Sequence, residues 1–363
     1  MTAVRMWLAM GLLLSTGTPL AAQHLDVEAL GSVVATKTDA GSQLLALNAG
    51  NPMLGADMYT WIAIEPSSTL RIMALGEIYG TTAADSRIEA ELQLLSLRWW
   101  RSRAVRVEAG RILLPLGEFA SRRFANVNPL IGMPDTYVDE YPWGASFSGA
   151  IGAIDYLVAG VSLPAVNERY TPSPGRRLRP VVGIGVSAGP GWHLGLAITH
   201  GPYLNADLNS QLPTGASWQD FAQTVATADL RFSAGRLDTR GEAAWSSYEV
   251  PTATDAVHGL GWYLESRMSV SPRLFVAARY EDNRYAFVMP LNPQFWIGTA
   301  TTQMNGELGL GYRLSPDALV KASLRKDHWP VHDISGTSFP DGYAIAAQVS
   351  MHADLVQLLT RRP

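Results

Sequence analysis

Three groupings in this 363-residue sequence have the residue types and spacing for chemistry, and each fails on the element that would have to carry it. Ser323 and Lys326 form an S-x-x-K string, but that chemistry needs one helical turn between the two. The segment Val320 to Arg325 alternates instead as a strand and sends the pair to opposite faces. Gly183, Gly185 and Ala188 match a loose dinucleotide-binding spacing, yet a phosphate cradle needs a helix to follow, and Trp192 to His200 alternates as well. His328 and His332, with Asp327 and Asp333 beside them, sit in an expected loop without a third ligand spacing to complete a metal site. There is no G-x-S-x-G, and with no cysteine there is no thiolate nucleophile or ligand. No catalytic group, metal or cofactor is therefore expected.

What remains is charge. The longest connector, Leu116 to Trp143, carries Arg122 and Arg123 near its start and ends with Asp135, Asp139 and Glu140. Folded into a lumen, it would set basic against acidic groups and create a transverse field that selects polar solutes. The alternative is a loop that packs outside. The other charges fall on one face of successive segments and are the expected pore lining: Arg71, Glu77, Arg87, Glu89, Glu91, Arg106, Glu108, Arg231, Arg240, Glu242, Glu265, Arg267, Arg279, Glu281, Lys321 and Arg325.

The elements that position them are strands. Apolar and polar residues alternate from end to end in segments long enough for tilted membrane strands, while helical periodicity is weak. Leu274, Val276, Ala278 and Tyr280 oppose Arg279 and Glu281; Ala226, Ala228, Leu230 and Phe232 oppose Asp229 and Arg231. Ile88, Ala90, Leu92 and Leu94 oppose Arg87, Glu89, Glu91 and Gln93. An Arg or Lys facing lipid near mid-membrane costs ~2–4 kcal/mol, so the charged faces must point inward. Arg111 alone falls on the lipid parity, which requires a bulge at Gly110 or a strand that has left the bilayer.

Connectors alternate between tight turns, as at Ser233 to Gly235 and Ser315 to Ala318, and long ones, as at Leu163 to Arg179, Gly201 to Gln219, Met289 to Thr301 and His328 to Asp341. Counting through predicts one all-β domain, an antiparallel transmembrane β-barrel of about sixteen strands over residues 23–355, followed by a tail at 356–363. Trp100, Trp192, Phe232 and Tyr312 on lipid faces near tight turns, and Trp245, Trp262, Tyr280 and Tyr343 near long loops, are candidate aromatic girdles.

Residues 1–22 have the layout of a secretory signal peptide: Arg5, an apolar core Met6 to Leu14, and a small-residue end at Ala21 and Ala22. Export to the outer membrane follows as the expectation, with lipid, ions and small polar solutes as partners. Net charge −4 and pI near 6.0 provide no electrostatic reason to expect nucleic acid.

The run Ala109-Gly110-Arg111-Ile112-Leu113-Leu114-Pro115-Leu116-Gly117-Glu118-Phe119 resembles the strand-and-loop signature of phosphate-selective (O/P-type) and related porins, a glycine and basic residue followed by proline, glycine and an aromatic. The resemblance implies that Leu116 to Trp143 folds into the channel, and it admits a homotrimer. Two features depart from it. Basic and acidic residues mix on the inward faces instead of forming a basic ladder, and the chain ends Leu358-Leu359-Thr360-Arg361-Arg362-Pro363 without a terminal aromatic. The function expected is passive diffusion of small hydrophilic solutes or ions, without turnover. The rivals are a plugged receptor or structural barrel, an enzyme with a site at the outer rim, and a soluble extracytoplasmic β protein.

Overall fold

A computed structural model describes residues 24–40, 50–83, 88–135, 141–162, 178–189, 191–204, 206–292, 295–330 and 341–360. The expected signal peptide, Arg87, Asp139, Glu140, His332 and Asp333 lie outside the described residues.

Sixteen strands follow in order: β1 (His24–Thr38), β2 (Met53–Ser67), β3 (Leu70–Thr81), β4 (Glu89–Ser102), β5 (Val105–Arg111), β6 (Trp143–Ile151), β7 (Ile154–Val161) and β8 (Arg179–Val186). The second half comprises β9 (Trp192–Pro202), β10 (Ala222–Ala234), β11 (Leu237–Tyr248), β12 (Val257–Ser269), β13 (Leu274–Asn292), β14 (Phe295–Arg313), β15 (Ala318–His328) and β16 (Gly342–Asp354). Each pairs antiparallel with its chain neighbours, and β1 pairs with β16 from Glu28↔Asp354 to Thr38↔Ala344, closing the barrel. Closure leaves no unpaired edge, which is what permits strands to cross lipid. A short helix α1 (Leu355–Thr360) stands where a tail is expected.

The barrel is inside-out relative to a soluble core. Val33, Leu196, Leu308, Ile345 and Val349 are at least half exposed on the outer face, while Ser32, Gln223, Glu281 and Lys321 are buried inside. Aromatic pairs sit at both levels of the outer face, Trp192 with Phe232 at 4.5 Å by the tight turns and Trp262 with Tyr280 at 5.6 Å nearer the loops. The wall is uneven: β5 has 7 residues and β13 and β14 have 19 each, which is about 24 Å against about 65 Å at strand rise.

Three local expectations change, and Arg111 keeps the parity expected of it. The segment Met289 to Thr301 is not a long loop, because β13 runs on to Asn292 and β14 starts at Phe295. Val288 and Trp296 of that hairpin pack with Tyr203, Leu204, Tyr248 and Val250 in an apolar cap over the loops, which stabilises the extended strands. Ile151 and Ile154 are joined by a tight turn through Gly152 (φ 63°), a signal absent from the turns singled out above. In β4 a bulge leaves Gln93 without a partner on β3, between Leu75↔Leu94 and Gly76↔Leu92. Alternation resets there, so Trp99 faces lipid, Trp100 turns inward against Arg71, and Leu94 joins an inner cluster with Tyr59 and Leu75. Finally, Arg111 does lie opposite the lipid-facing Leu95 and Trp143, with no register break at Gly110. It ends β5, and its guanidinium is satisfied by Glu91 and by the carbonyls of Tyr141 and Leu92.

Candidate constriction and pore lining

The chain between β5 and β6 turns into the barrel. Ile112, Leu114 and Leu116 continue the alternation of β5, but they leave the wall and pack against Val161, Val181 and Val225 on the inner faces of β7, β8 and β10. The next step needs glycine. Gly117 has φ +70°, and a Cβ there would lie 1.9 Å from Oε1 of Glu242. With no side chain in the way, the Glu242 carboxylate on β11 accepts the backbone N–H groups of Glu118 and Phe119 at 3.0 and 3.1 Å.

Adjacent arginines then bind opposite walls. Arg122 donates to Glu265 of β12 at 2.7 Å and lies 3.3 Å from the Tyr263 hydroxyl. Burial opposes the Arg122 charge, but Glu265 and Tyr263 more than offset it and hold the guanidinium above the ordinary arginine value. Arg123 reaches the other way, to Gln93 of β4 and Glu77 of β3, with Tyr59, Phe124 and Tyr141 around it at 5.2–5.5 Å from ring centres. Burial pushes the Tyr141 phenol above its ordinary value, so it stays neutral in that cage.

Farther on, the loop binds β13 to β15. Lys321 donates to the carbonyls of Asn128 and Leu130 at 2.9 and 2.8 Å. Glu307 accepts the N–H groups of Ile131 and Gly132, and Glu281 accepts that of Asp135 at 2.7 Å. The Asp135 carboxylate takes Arg325 at 2.7 Å and Asn305 at 2.8 Å. Behind these contacts Arg279, with 0% side-chain exposure, pairs Glu265, Glu281 and Glu307 at 3.2, 2.7 and 2.9 Å.

The structure thus brings Arg122, Arg123 and Asp135 into the lumen, but it pairs them with the wall instead of opposing them across open water. Glu242, Glu265, Arg279, Glu281 and Lys321, expected to line the pore, are buried between loop and wall for the same reason. Arg325 is largely covered, and Glu77 and Glu108 are held by Gln93 and Arg98. Arg71 pairs with Glu65, Arg231 and Arg240 with Glu118, Glu89 with Tyr79, and Glu91 with Arg111. Arg106 meets only the Ser148 hydroxyl among the described contacts, and Arg267 lies near the tight turns.

Glu307 and Glu118 were not among the expected lining residues, although alternation in β14 puts Glu307 on the inward face, directly opposite Arg279. Nor does alternation locate the open space. A cavity of about 760 Å³ lies toward the tight turns, with Arg71, Arg98 and Arg106 on one side and Asp155, His193 and Asp229 on the other. Gly185 and Gly195 make room for the two aspartates, since a Cβ at either would lie within 2.2 Å of a carboxylate oxygen. Ser187 contacts His193 at 3.2 Å, but Asp229 and Asp155 stand 3.7 and 3.9 Å from the ring nitrogens. Neither acid is within hydrogen-bond reach to orient that imidazole as a general base.

No family model and no curated protein matches the chain. Solved structures do. The anion-selective porin from Comamonas acidovorans superposes with TM-score 0.61 at 9% identity, covering 91% of this chain and 99% of that one. Salmonella typhi OmpF in complex with daunomycin gives 0.59 at 10%, covering 90% and 97%, and the trimer form of in-vitro folded OmpT from Vibrio cholerae gives 0.56 at 8%, covering 91% and 100%. At such identities the likeness speaks to architecture, and with the closed barrel and its inward loop it shows that this chain has the sixteen-stranded fold of the outer-membrane porins.

Proposed function

We propose that the protein is an outer-membrane channel through which small hydrophilic solutes or ions diffuse passively, without turnover chemistry. The observation that carries this reading is the loop after β5, which lies inside the barrel as a constriction while a charged cavity stays open beside it. A sixteen-stranded barrel is wide enough that side chains alone do not fill it. Acidic and basic groups on facing walls of that cavity favour solutes with polar or dipolar character over apolar ones. Phosphate selectivity is not part of the proposal, since most loop-level arginines are neutralised by carboxylates.

A homotrimer fits the same reading. The outer faces of β16, β1, β2 and β3 expose apolar side chains such as Val33, Leu54, Met58, Ile345 and Val349, a surface that a neighbouring barrel can cover. One observation favours a second reading: Arg122 and Arg123 tie the loop to opposite walls, as a plug would be tied.

Single-channel conductance of the refolded chain in planar bilayers, under a salt gradient, separates the two. Stable steps support the channel, and folded barrels without conductance support the plug. In a conducting barrel, neutralising Asp135, Asp139 and Glu140 together should shift the reversal potential toward anions; an unchanged potential removes the acidic end of the loop from the selectivity filter.

A further inference from the structure

Beneath the loop clamp, where β10 to β14 reach their tight turns, four arginines surround a second cavity of about 230 Å³: Arg236, Arg267, Arg273 and Arg313. The inner wall of this cavity is Phe275, over whose ring the Arg267 guanidinium lies at 4.3 Å, and Ser269 and Ser271 complete its rim. None of the residues lining it is acidic. The acid directly opposite Arg267, Asp238, is occupied by Arg240 at 2.9 Å. Arg267 Nε is buried without a hydrogen-bond partner among the described residues, and Arg236 contacts only the Val270 carbonyl, at 3.4 Å. At loop level, by contrast, the buried Arg279 guanidinium is ringed by three carboxylates. Four cations thus converge on a cavity whose lining holds no carboxylate, and the Asp238 charge that also acts on Arg267 is shared with Arg240, so an anion in the cavity would relieve their mutual repulsion.

We propose that this pocket at the tight-turn mouth is a binding site for a phosphate-class oxyanion, held by Arg267 and Arg313 from the inner wall and by Arg236 and Arg273 from the turns. The guanidinium forks present paired N–H donors, which match tetrahedral oxyanions better than chloride. At about 230 Å³ the cavity has room for one such group. Its place at the mouth exposes it both to free phosphate and to phosphate on the headgroups of the adjacent leaflet. The site does not depend on the barrel conducting, so it stands or falls apart from the channel reading.

The test is calorimetric titration of the refolded full-length barrel with inorganic phosphate, in neutral detergent at constant ionic strength set by chloride. One saturable site is expected, weakened about tenfold by Arg267→Gln and likewise by Arg313→Gln, as one charge-assisted hydrogen-bond pair is lost. Arg101→Gln, an exposed arginine at the same end of the barrel but outside the pocket, should leave affinity unchanged. Absence of phosphate binding, or equal weakening by Arg101→Gln, overturns the site and leaves only diffuse charge. If Arg267→Gln does not refold, Arg313→Gln and the exposed turn variant Arg273→Gln carry the same comparison. A second arm adds short-chain phosphatidylglycerol or phosphatidylcholine to the phosphate-loaded barrel. Displacement by phosphatidylglycerol alone assigns the site to lipid headgroups, and no displacement assigns it to the free anion.

Discussion

Strands β12 to β14 hold two charged regions less than one strand length apart, and the two are built on opposite principles. At loop level Glu265, Arg279 and Glu307 share their charges with one another and with the loop until almost nothing is exposed. Toward the turns of the same strands, Arg267 and Arg313 face a cavity with no carboxylate in its lining. The first arrangement holds protein to protein; the second leaves charge available to something that is not protein. Inward parity by itself therefore does not make a residue part of a pore lining. What matters is whether the loop lies over it.

Removing the centre of the clamp should separate the regions most sharply. Arg279→Met leaves Glu265, Glu281 and Glu307 buried and under-paired, a loss of about 3–5 kcal/mol by comparison with other broken buried ion pairs. The urea midpoint of the refolded barrel should fall accordingly, and released loops should give larger, noisier conductance steps. A midpoint equal to the parent would mean that the loop is not held here.

Gly117→Val is a smaller perturbation of the same clamp. Its side chain meets the Glu242 carboxylate in a left-handed backbone conformation, at a cost of about 1–3 kcal/mol. Circular dichroism should show the strands intact while conductance changes, because the wall contributes nothing to this contact beyond Glu242. The smallest effect is expected at the mouth. Arg267→Gln combined with Arg313→Gln should alter the free energy of urea unfolding by no more than about 0.5 kcal/mol, or raise it, since like charges are relieved and no ion pair is lost. A large destabilisation would show that these arginines are structural after all.

Much of the wall was legible from alternation, because a period of two with an oily face has few other uses in an exported chain. The inward placement of Glu242, Glu265, Arg279 and Lys321 follows from parity alone. Parity misleads where a backbone irregularity resets it, as at Gln93, beyond which Trp99 and not Trp100 faces lipid. Ile112, Leu114 and Leu116 keep the inward parity of Arg106 and Glu108, but as apolar residues they bury themselves against the inner wall instead of lining water. The β13–β14 extension was hidden because it depends on the cap formed with Tyr203, Leu204 and Val250, residues far away in the chain.

By itself, then, the sequence determined the element type, the inward face of most strand segments, most of the turn and loop rhythm and the approximate strand number, all of which are local consequences of side-chain alternation and the cost of charge in lipid. Only the tertiary structure decided which of those inward charges meet water. That outcome rests on Arg122 and Glu265, or Asp135 and Arg325, coming within 2.7 Å across separations of 143 and 190 residues, and no local pattern specifies contacts of that range.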